Sequence, residues 1–210
     1  NGNSVAVGRQ ALRTQNAGVE AYNVAVGNGA GYNTTTGIQN TLIGSVAGDA
    51  LTDADFNVAV GYNTLGLDTL GSRSVAIGHN SLANQNFTTA TNTYNVAVGF
   101  SAGVANTTGE ANTFLGATAG AANTSGNNNS AMGYAALFTN ILSDRNVAIG
   151  NNALYSHNQA TSVDSYNTAI GYSAGTGVTT GAENTLIGGI AGYALTDADY
   201  NVALGYQALS

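Results

Sequence analysis

A five-residue motif recurs twelve times along this 210-residue chain. Its first position is Asn or Ser, its second Val, Thr or Ser, its third Ala, Leu or Phe, its fourth a large apolar residue and its fifth Gly. After a first interval of 19 residues, successive motif glycines are 17, 17, 17 and 21 residues apart, so the pattern returns every 72 residues at Gly27, Gly99 and Gly171. So regular a spacing indicates stacked copies of one structural unit rather than a chain folded around one globular core.

The motif predicts a short strand, because it is rich in β-branched residues and ends in Gly. A 17-residue unit has no room for a strand, a three-turn helix and their loops, and frequent Gly disfavours helices. We therefore predict an all-β fold, a parallel β-solenoid of about twelve coils and about 55 Å in length. No change in composition divides the chain, so residues 1–210 are predicted to form a single repeat array. The missing initiator Met suggests a fragment of a longer fibre protein.

Alternation along a strand places the third and fourth motif positions on opposite faces. Because the fourth position is always large and apolar, we predict that it forms the core ladder of the coils. That ladder consists of Val26, Ile43, Val60, Ile77, Val98, Leu115, Met132, Ile149, Ile170, Ile187 and Leu204.

The third position is never polar, and a strand that is apolar on both faces is expected to be buried on both. We predict that this second face forms the interface of an oligomer, with a homotrimer as the simplest closed fibre. The interface would consist of Ala25, Leu42, Ala59, Ala76, Ala97, Phe114, Ala131, Ala148, Ala169, Leu186 and Ala203. Its bulkier members, Leu42, Phe114 and Leu186, recur every fourth coil and are expected to set the register between chains. The alternative is that this face packs on another strand of the same chain.

Ten of the twelve motifs begin with Asn, the exceptions being Ser4 and Ser74. Stacked coils would align these amides in a ladder in which each side chain hydrogen-bonds the next. The motif glycines are expected to supply turn conformations with positive φ.

Composition excludes several classes of protein. Only 7% of residues are charged, there are four Arg and no Lys, and the net charge is -7, so nucleic-acid binding through phosphate neutralisation is not expected. Cys is absent, which excludes thiol catalysis and thiolate metal sites. No apolar run approaches the roughly 20 residues that span a bilayer, so this segment is not expected to insert into a membrane. His79 and His157 are the only histidines, occupy non-equivalent positions and fit no catalytic triad. We predict surface turn histidines, no enzyme activity and no cofactor.

Acidic and aromatic side chains are the remaining site candidates. Asp53 with Asp55, and Asp197 with Asp199, form Asp-x-Asp pairs whose oxygens suit Ca²⁺, but no calcium-binding loop surrounds them. We predict no metal site, with calcium at these four residues as the alternative. The candidates for glycan contacts, each directly after a motif glycine, are Tyr62, Phe100, Tyr134, Tyr172 and Tyr206. The alternative for the aromatics is that they cover coil edges or fill gaps between chains.

Three of the motifs, SVAVG at 4–8, SVAIG at 74–78 and NVAIG at 146–150, resemble the YadA-type head repeat of trimeric autotransporter adhesins. The fuller unit at 167–188 is similar to the 17-residue variant of that repeat seen in bacteriophage tail fibres. The resemblance covers essentially the whole chain. It implies a left-handed β-roll of three chains, displayed on a virion or a bacterial cell surface, and it identifies no ligand-binding residue.

Together these observations predict a non-enzymatic tail-fibre or virion-fibre segment that acts as a stiff spacer and a multivalent receptor-binding surface. Its partners would be copies of itself and a cell-surface receptor or glycan, and its location the virion surface or another extracellular surface. The main alternative is a bacterial trimeric adhesin head that binds host cell or matrix ligands. A third is an ice-binding solenoid, but the Thr doublets recur only every fourth coil, whereas an ice-binding face needs Thr on every coil.

Overall fold

The structure, a computed structural model, describes residues 2–210. The long sheet is formed by β1 (Val5–Val7), β2 (Val24–Val26), β3 (Thr41–Ile43), β4 (Val58–Val60), β6 (Val75–Ile77), β8 (Val96–Val98), β9 (Thr113–Leu115), β10 (Ser130–Met132), β11 (Val147–Ile149), β12 (Thr168–Ile170), β13 (Thr185–Ile187) and β14 (Val202–Leu204). Two further short strands, β5 (Gly71–Ser72) and β7 (Thr91–Asn92), pair with each other.

The long sheet has twelve strands in chain order, all parallel, and each strand covers motif positions two to four. Equivalent positions pair in register from coil to coil, as Val24 pairs with Thr41 and Val26 with Ile43. The prediction of an all-β parallel solenoid of about twelve coils is confirmed. Within residues 2–210, no helix has the length and apolar character needed to cross a bilayer.

The motif asparagines stack inside the coils, as predicted, and are fully buried from Asn23 to Asn184. The Asn40 backbone N–H donates to Asn23 Oδ1 at 2.8 Å, and the Asn40 amide donates to the same oxygen at 3.2 Å. The Asn40 amide also donates to the Ala54 carbonyl at 2.7 Å, in the turn that completes its own coil. Asn40 therefore joins its coil to the neighbouring one and closes its own coil across the interior. The same closing bond is made by Asn23, Asn57, Asn95, Asn112, Asn129, Asn167 and Asn184.

The structure reverses the predicted faces of the strands. From the second coil onward, the third motif position lies inside the coil of a single chain, with exposures of 0–2%, and is therefore not an interface between chains, whereas Ala6 in the first coil is exposed. The residues so corrected are Ala25, Leu42, Ala59, Ala76, Ala97, Phe114, Ala131, Ala148, Ala169, Leu186 and Ala203. The interior is narrow and already holds the motif asparagines on the same side of the strand, so small third-position residues fit there.

The fourth position faces outward together with the second, and none of the predicted core residues is buried. The residues corrected from core to surface are Val26, Ile43, Val60, Ile77, Val98, Leu115, Met132, Ile149, Ile170, Ile187 and Leu204. Ile43 is 39% exposed and Met132 44%. Two parallel columns of mostly aliphatic side chains therefore run along the outside of the sheet.

The three bulkier third-position residues fill the coil core rather than set a register between chains. Around Leu42, the fourth residue after the motif glycine is Gly: a Cβ atom at Gly31 or Gly48 would lie 2.7 or 2.8 Å from a Leu42 methyl carbon. Where the third position is Ala59 or Ala76, the fourth residue after the glycine is instead a buried Leu. Where the strand carries a large residue, the turn carries Gly, and where the strand carries Ala, the turn carries Leu. The interior of the coils is therefore filled to a similar extent in both cases.

The motif glycines form a close stack that explains their regular recurrence. Gly44 has φ +135°, and a Cβ atom there would lie 2.2 Å from the carbonyl oxygen of Gly61 in the next coil. Successive motif glycines from Gly8 to Gly188 make the same approach. The predicted positive φ is confirmed, and the stacking distance between coils adds a second requirement for Gly.

Candidate functional site

The five aromatic residues predicted to contact glycans all lie on the surface, with exposures between 53% and 73%. They do not form one unbroken row, because Ala117, Asn151 and Gly189 take the same place in intervening coils. His79 does extend the row at one point: its ring stacks between Tyr62 at 5.2 Å and Phe100 at 5.4 Å. The prediction that His79 is a surface turn histidine is confirmed.

A second aromatic column, which sequence reasoning missed, lies at the fifth residue after the motif glycine. Phe138 and Tyr155 occupy this place in adjacent coils, and their rings are parallel to within 3° with centroids 5.1 Å apart. Tyr193 lies in the same column two coils beyond Tyr155. The available signal was that these aromatics all follow a motif glycine by five residues.

Between the two aromatic columns runs a surface groove of about 600 Å³. Its lining consists of Thr118, Tyr134, Ala135, Phe138, Asn152, Tyr155 and Thr176. A second groove, of about 650 Å³, continues from Asn152 and Thr176 along the rod past Tyr172 and Tyr193. Of the predicted glycan contacts, Tyr134 and Tyr172 therefore lie in this pair of grooves.

The chemistry of the first groove is uncharged. Its polar groups are the Tyr134 and Tyr155 phenols, the Thr118 and Thr176 hydroxyls and the Asn152 amide. The Thr176 hydroxyl donates to the backbone carbonyl of Asn152 at 2.8 Å, and this bond fixes the orientation of the hydroxyl. Within residues 2–210 no hydrogen bond uses the Asn152 side-chain amide, so both its donor and its acceptor are available to a ligand.

The four aspartates considered for calcium are used in bonds between and within coils. Asp55 Oδ1 accepts from the Ile38 backbone N–H at 2.8 Å, and Asp199 Oδ1 accepts from the Ala182 N–H at 2.7 Å. Asp53 accepts from the Thr36 hydroxyl at 2.5 Å, and Asp197 from its neighbour Thr196 at 3.1 Å. Over residues 2–210, no group of three or more His, Asp or Glu side chains is placed to hold a metal ion.

A buried polar network occupies the first 21-residue coil, where Ser74 replaces the motif asparagine. The fully buried Gln85 amide donates to Ser74 Oγ at 2.9 Å and to Asp68 at 2.6 Å, and Gln85 Oε1 accepts from the Asn95 amide at 2.9 Å. Burial raises the pKa of the Asp68 carboxyl, and the hydrogen bond from the Gln85 amide partly counteracts this increase.

His157 holds the place of Gln85 in the second 21-residue coil, 72 residues further on. The prediction of a surface histidine is wrong here, because His157 is completely buried. Within residues 2–210, neither of its ring nitrogens has a hydrogen-bond partner, and the same is true of the buried Ser165 hydroxyl in this coil. Burial lowers the pKa of His157 to about 4, which the neighbouring backbone of Thr179 partly opposes. The ring is therefore neutral at physiological pH.

No protein-family model, curated protein or solved structure matches this chain. What it does must therefore be inferred from its own surfaces.

Proposed function

We propose that this chain is a non-enzymatic fibre segment, of the bacteriophage tail-fibre type, in which parallel copies pack side by side along the rod as a homotrimer. The observation that carries the proposal is the outward face of the long sheet. Its two mostly aliphatic columns, at the second and fourth motif positions, continue over all twelve coils without a single charged residue. Soluble monomers rarely expose a contiguous apolar surface of more than a few hundred Å².

A second copy of the chain is the occupant that fits this face best. The apolar columns are straight and repeat at the spacing of the coils, so an identical rod lying parallel presents the same spacing coil for coil. A rotation axis along the rod closes such an assembly, and three copies are the smallest ring with heterologous contacts. The assembly face is thus the fourth-position ladder with its second-position neighbours, in place of the alanine face expected from the sequence.

The architecture also suits a stiff extracellular spacer. Every coil is tied to the next by strand pairing, and the buried asparagine ladder, which is interrupted at Ser74, adds side-chain bonds between coils, so bending the rod would break hydrogen bonds in its interior. The chain offers trypsin four Arg and no Lys, an advantage on a virion surface or another extracellular surface. Several copies held in one rod would present any weak receptor contact multivalently.

The oligomeric state in solution tests the proposal. Sedimentation velocity of the 210-residue chain should give the mass of a trimer, and the double variant Ile77→Asp/Ile149→Asp should sediment as a folded monomer. Ile77 and Ile149 face outward, so the added charges meet the partner and leave the coil interior untouched.

The matched control is Thr108→Asp/Thr180→Asp, which adds the same charge at two exposed residues in turns away from the strands. This control should remain trimeric. A wild-type chain that is monomeric and soluble across the concentration range, or a control that dissociates as readily as the Ile variant, would overturn the proposal.

A further inference from the structure

We propose that the groove between the two aromatic columns binds a neutral oligosaccharide or polysaccharide chain, with Tyr155 as the stacking platform and Asn152 as the central hydrogen-bonding group. The inference deepens the proposed function and rests on it in one respect, namely that the rod displays the groove to the outside. Phe138, Tyr134 and Thr176 complete the site.

Aromatic residues form both walls of the groove. Sugar rings have apolar C–H faces that pack on aromatic rings, and Phe138 and Tyr155, whose rings stack on each other, both line the groove in adjacent coils. Tyr134, on the opposite wall, is 59% exposed.

The Asn152 side chain offers hydrogen-bonding groups to a ligand in the groove. It lines both grooves, so it lies where a chain that follows the rod passes from one groove into the next. Its amide carries two donors and one acceptor with no partner in residues 2–210, a set that matches vicinal sugar hydroxyls. A few uncharged polar groups among aromatic residues are typical of sites that fix the orientation of a largely apolar ligand face.

Charge and shape narrow the class of ligand. No lining residue of either groove is Asp, Glu, Arg or His, so neither an anionic nor a cationic ligand finds a counter-charge there. The grooves are open along the rod and are lined by residues from Thr118 to Ser210, which suits a linear polymer better than an enclosed small molecule.

The repeat itself provides a variant that should fold. The residues equivalent to Tyr155 and Phe138 in the preceding 72-residue cycle are Ala83 and Gly66, so that cycle lacks the aromatic wall. Tyr155→Ala thus introduces a residue that the same place in the fold already accepts. Asn80 is the equivalent of Asn152, and Tyr62 is a matched exposed tyrosine outside the groove.

The experiment screens the purified 210-residue chain on an array of neutral glycans, including α- and β-linked glucans, chito-oligosaccharides, mannans and galactans. Titration calorimetry with a hexasaccharide of the best-bound class then compares the variants. Tyr155→Ala should weaken binding about tenfold, and Asn152→Ala should weaken it by a similar factor. The controls Tyr62→Ala and Asn80→Ala should change it less than about twofold. Sedimentation of every variant is measured alongside.

The outcomes separate this inference from the proposed function. Loss of glycan binding in Tyr155→Ala with the trimer intact supports the site, and binding by a wild-type chain that is monomeric supports the site while the assembly proposal fails. Failure of the chain to bind any neutral glycan, preference for anionic glycans or peptides, or equal effects of the groove and control variants overturns the inference. Dissociation of the Tyr155→Ala trimer also overturns it, since the groove would then be covered by another copy.

Discussion

Phe114 and Gly120 face each other across the interior of one coil, and a Cβ atom at Gly120 would lie 2.3 Å from Phe114 Cδ1. The backbone at this place does not itself require Gly. The equivalent residues Leu137 and Leu154 adopt φ 52° and 48°, close to the 58° of Gly120. Gly120 is therefore needed for the space that the Phe114 ring occupies.

This relationship predicts an energetic coupling between the two residues. Phe114→Ala should lower the free energy of unfolding by about 3–5 kcal/mol through the cavity it leaves. Gly120→Leu should also destabilise, because its side chain would overlap the ring. The double variant should be more stable than the sum of the two losses by about 1–3 kcal/mol, since its pair matches Ala131 with Leu137. Denaturant unfolding of the four chains measures the coupling.

The control cycle combines Phe114→Ala with Gly192→Leu. Gly192 approaches Leu186 rather than Phe114, so the two effects should add. If the losses of unfolding free energy in Phe114→Ala and Gly120→Leu simply add in the double variant, a large turn residue does not compensate for a small strand residue.

The stacked motif glycines give a second prediction. Gly99 has φ +142°, and its Cβ atom would lie 2.5 Å from the Gly116 carbonyl oxygen, so Gly99→Ala meets both backbone strain and a clash with backbone. We expect a loss of about 3–5 kcal/mol in unfolding free energy. Gly18 also has positive φ but open space around its Cβ position, and Gly18→Ala should cost only about 1 kcal/mol. Similar losses of unfolding free energy in Gly99→Ala and Gly18→Ala would show that the short distance between stacked coils is not the reason for Gly at the motif positions.

The sequence predicted the strands, the parallel stacking and the asparagine ladder, because each depends on a spacing that the repeat displays. It did not correctly predict which face of each strand points into the coil. Alternation separates Ala148 from Ile149 but, with both apolar, does not say which of them is in the core. Asn146 held the missing signal: two residues before Ala148, it lies on the same face, so a buried asparagine ladder puts the alanines inside. The groove was missed because it brings together residues of neighbouring coils, such as Tyr134 and Tyr155, that are not close in the sequence.

The buried amides predict a large effect at Asn112. Its Oδ1 accepts from the Asn129 backbone N–H at 2.9 Å, and its Nδ2 donates to the Gly126 carbonyl at 2.8 Å. Asn112→Ala leaves the buried Asn129 N–H without this partner, whereas the Gly126 carbonyl still accepts from the Asn123 amide at 3.0 Å, so the variant should cost about 1–3 kcal/mol. Asn33 is exposed, so Asn33→Ala should change stability by less than about 0.5 kcal/mol. Thermal and denaturant unfolding compare them, and an equally mild effect at Asn112 would argue against a structural ladder.

The buried His157 predicts a loss of stability in mild acid. Its pKa is about 4 in the folded chain and about 6.5 when unfolded, so between these values the unfolded chain binds more protons. The contribution of His157 is therefore complete above pH 6.5 and falls as the pH drops towards 4, by at most about 3 kcal/mol. Asp68 acts in the opposite sense, because its raised pKa favours the folded state at low pH and that contribution is lost as pH rises through the raised value.

A comparison with His157→Gln isolates the histidine from Asp68 and the other carboxyls. Gln is the residue that the preceding cycle holds at this place, as Gln85, where its side chain is hydrogen-bonded at both ends, and an amide does not itself titrate. Unfolding free energies of the two chains, measured at fixed protein concentration from pH 7.5 to 4, should diverge below pH 6.5 as the wild type weakens more steeply. Curves that run parallel over this range would mean that His157 is already protonated, or hydrated, in the folded coil.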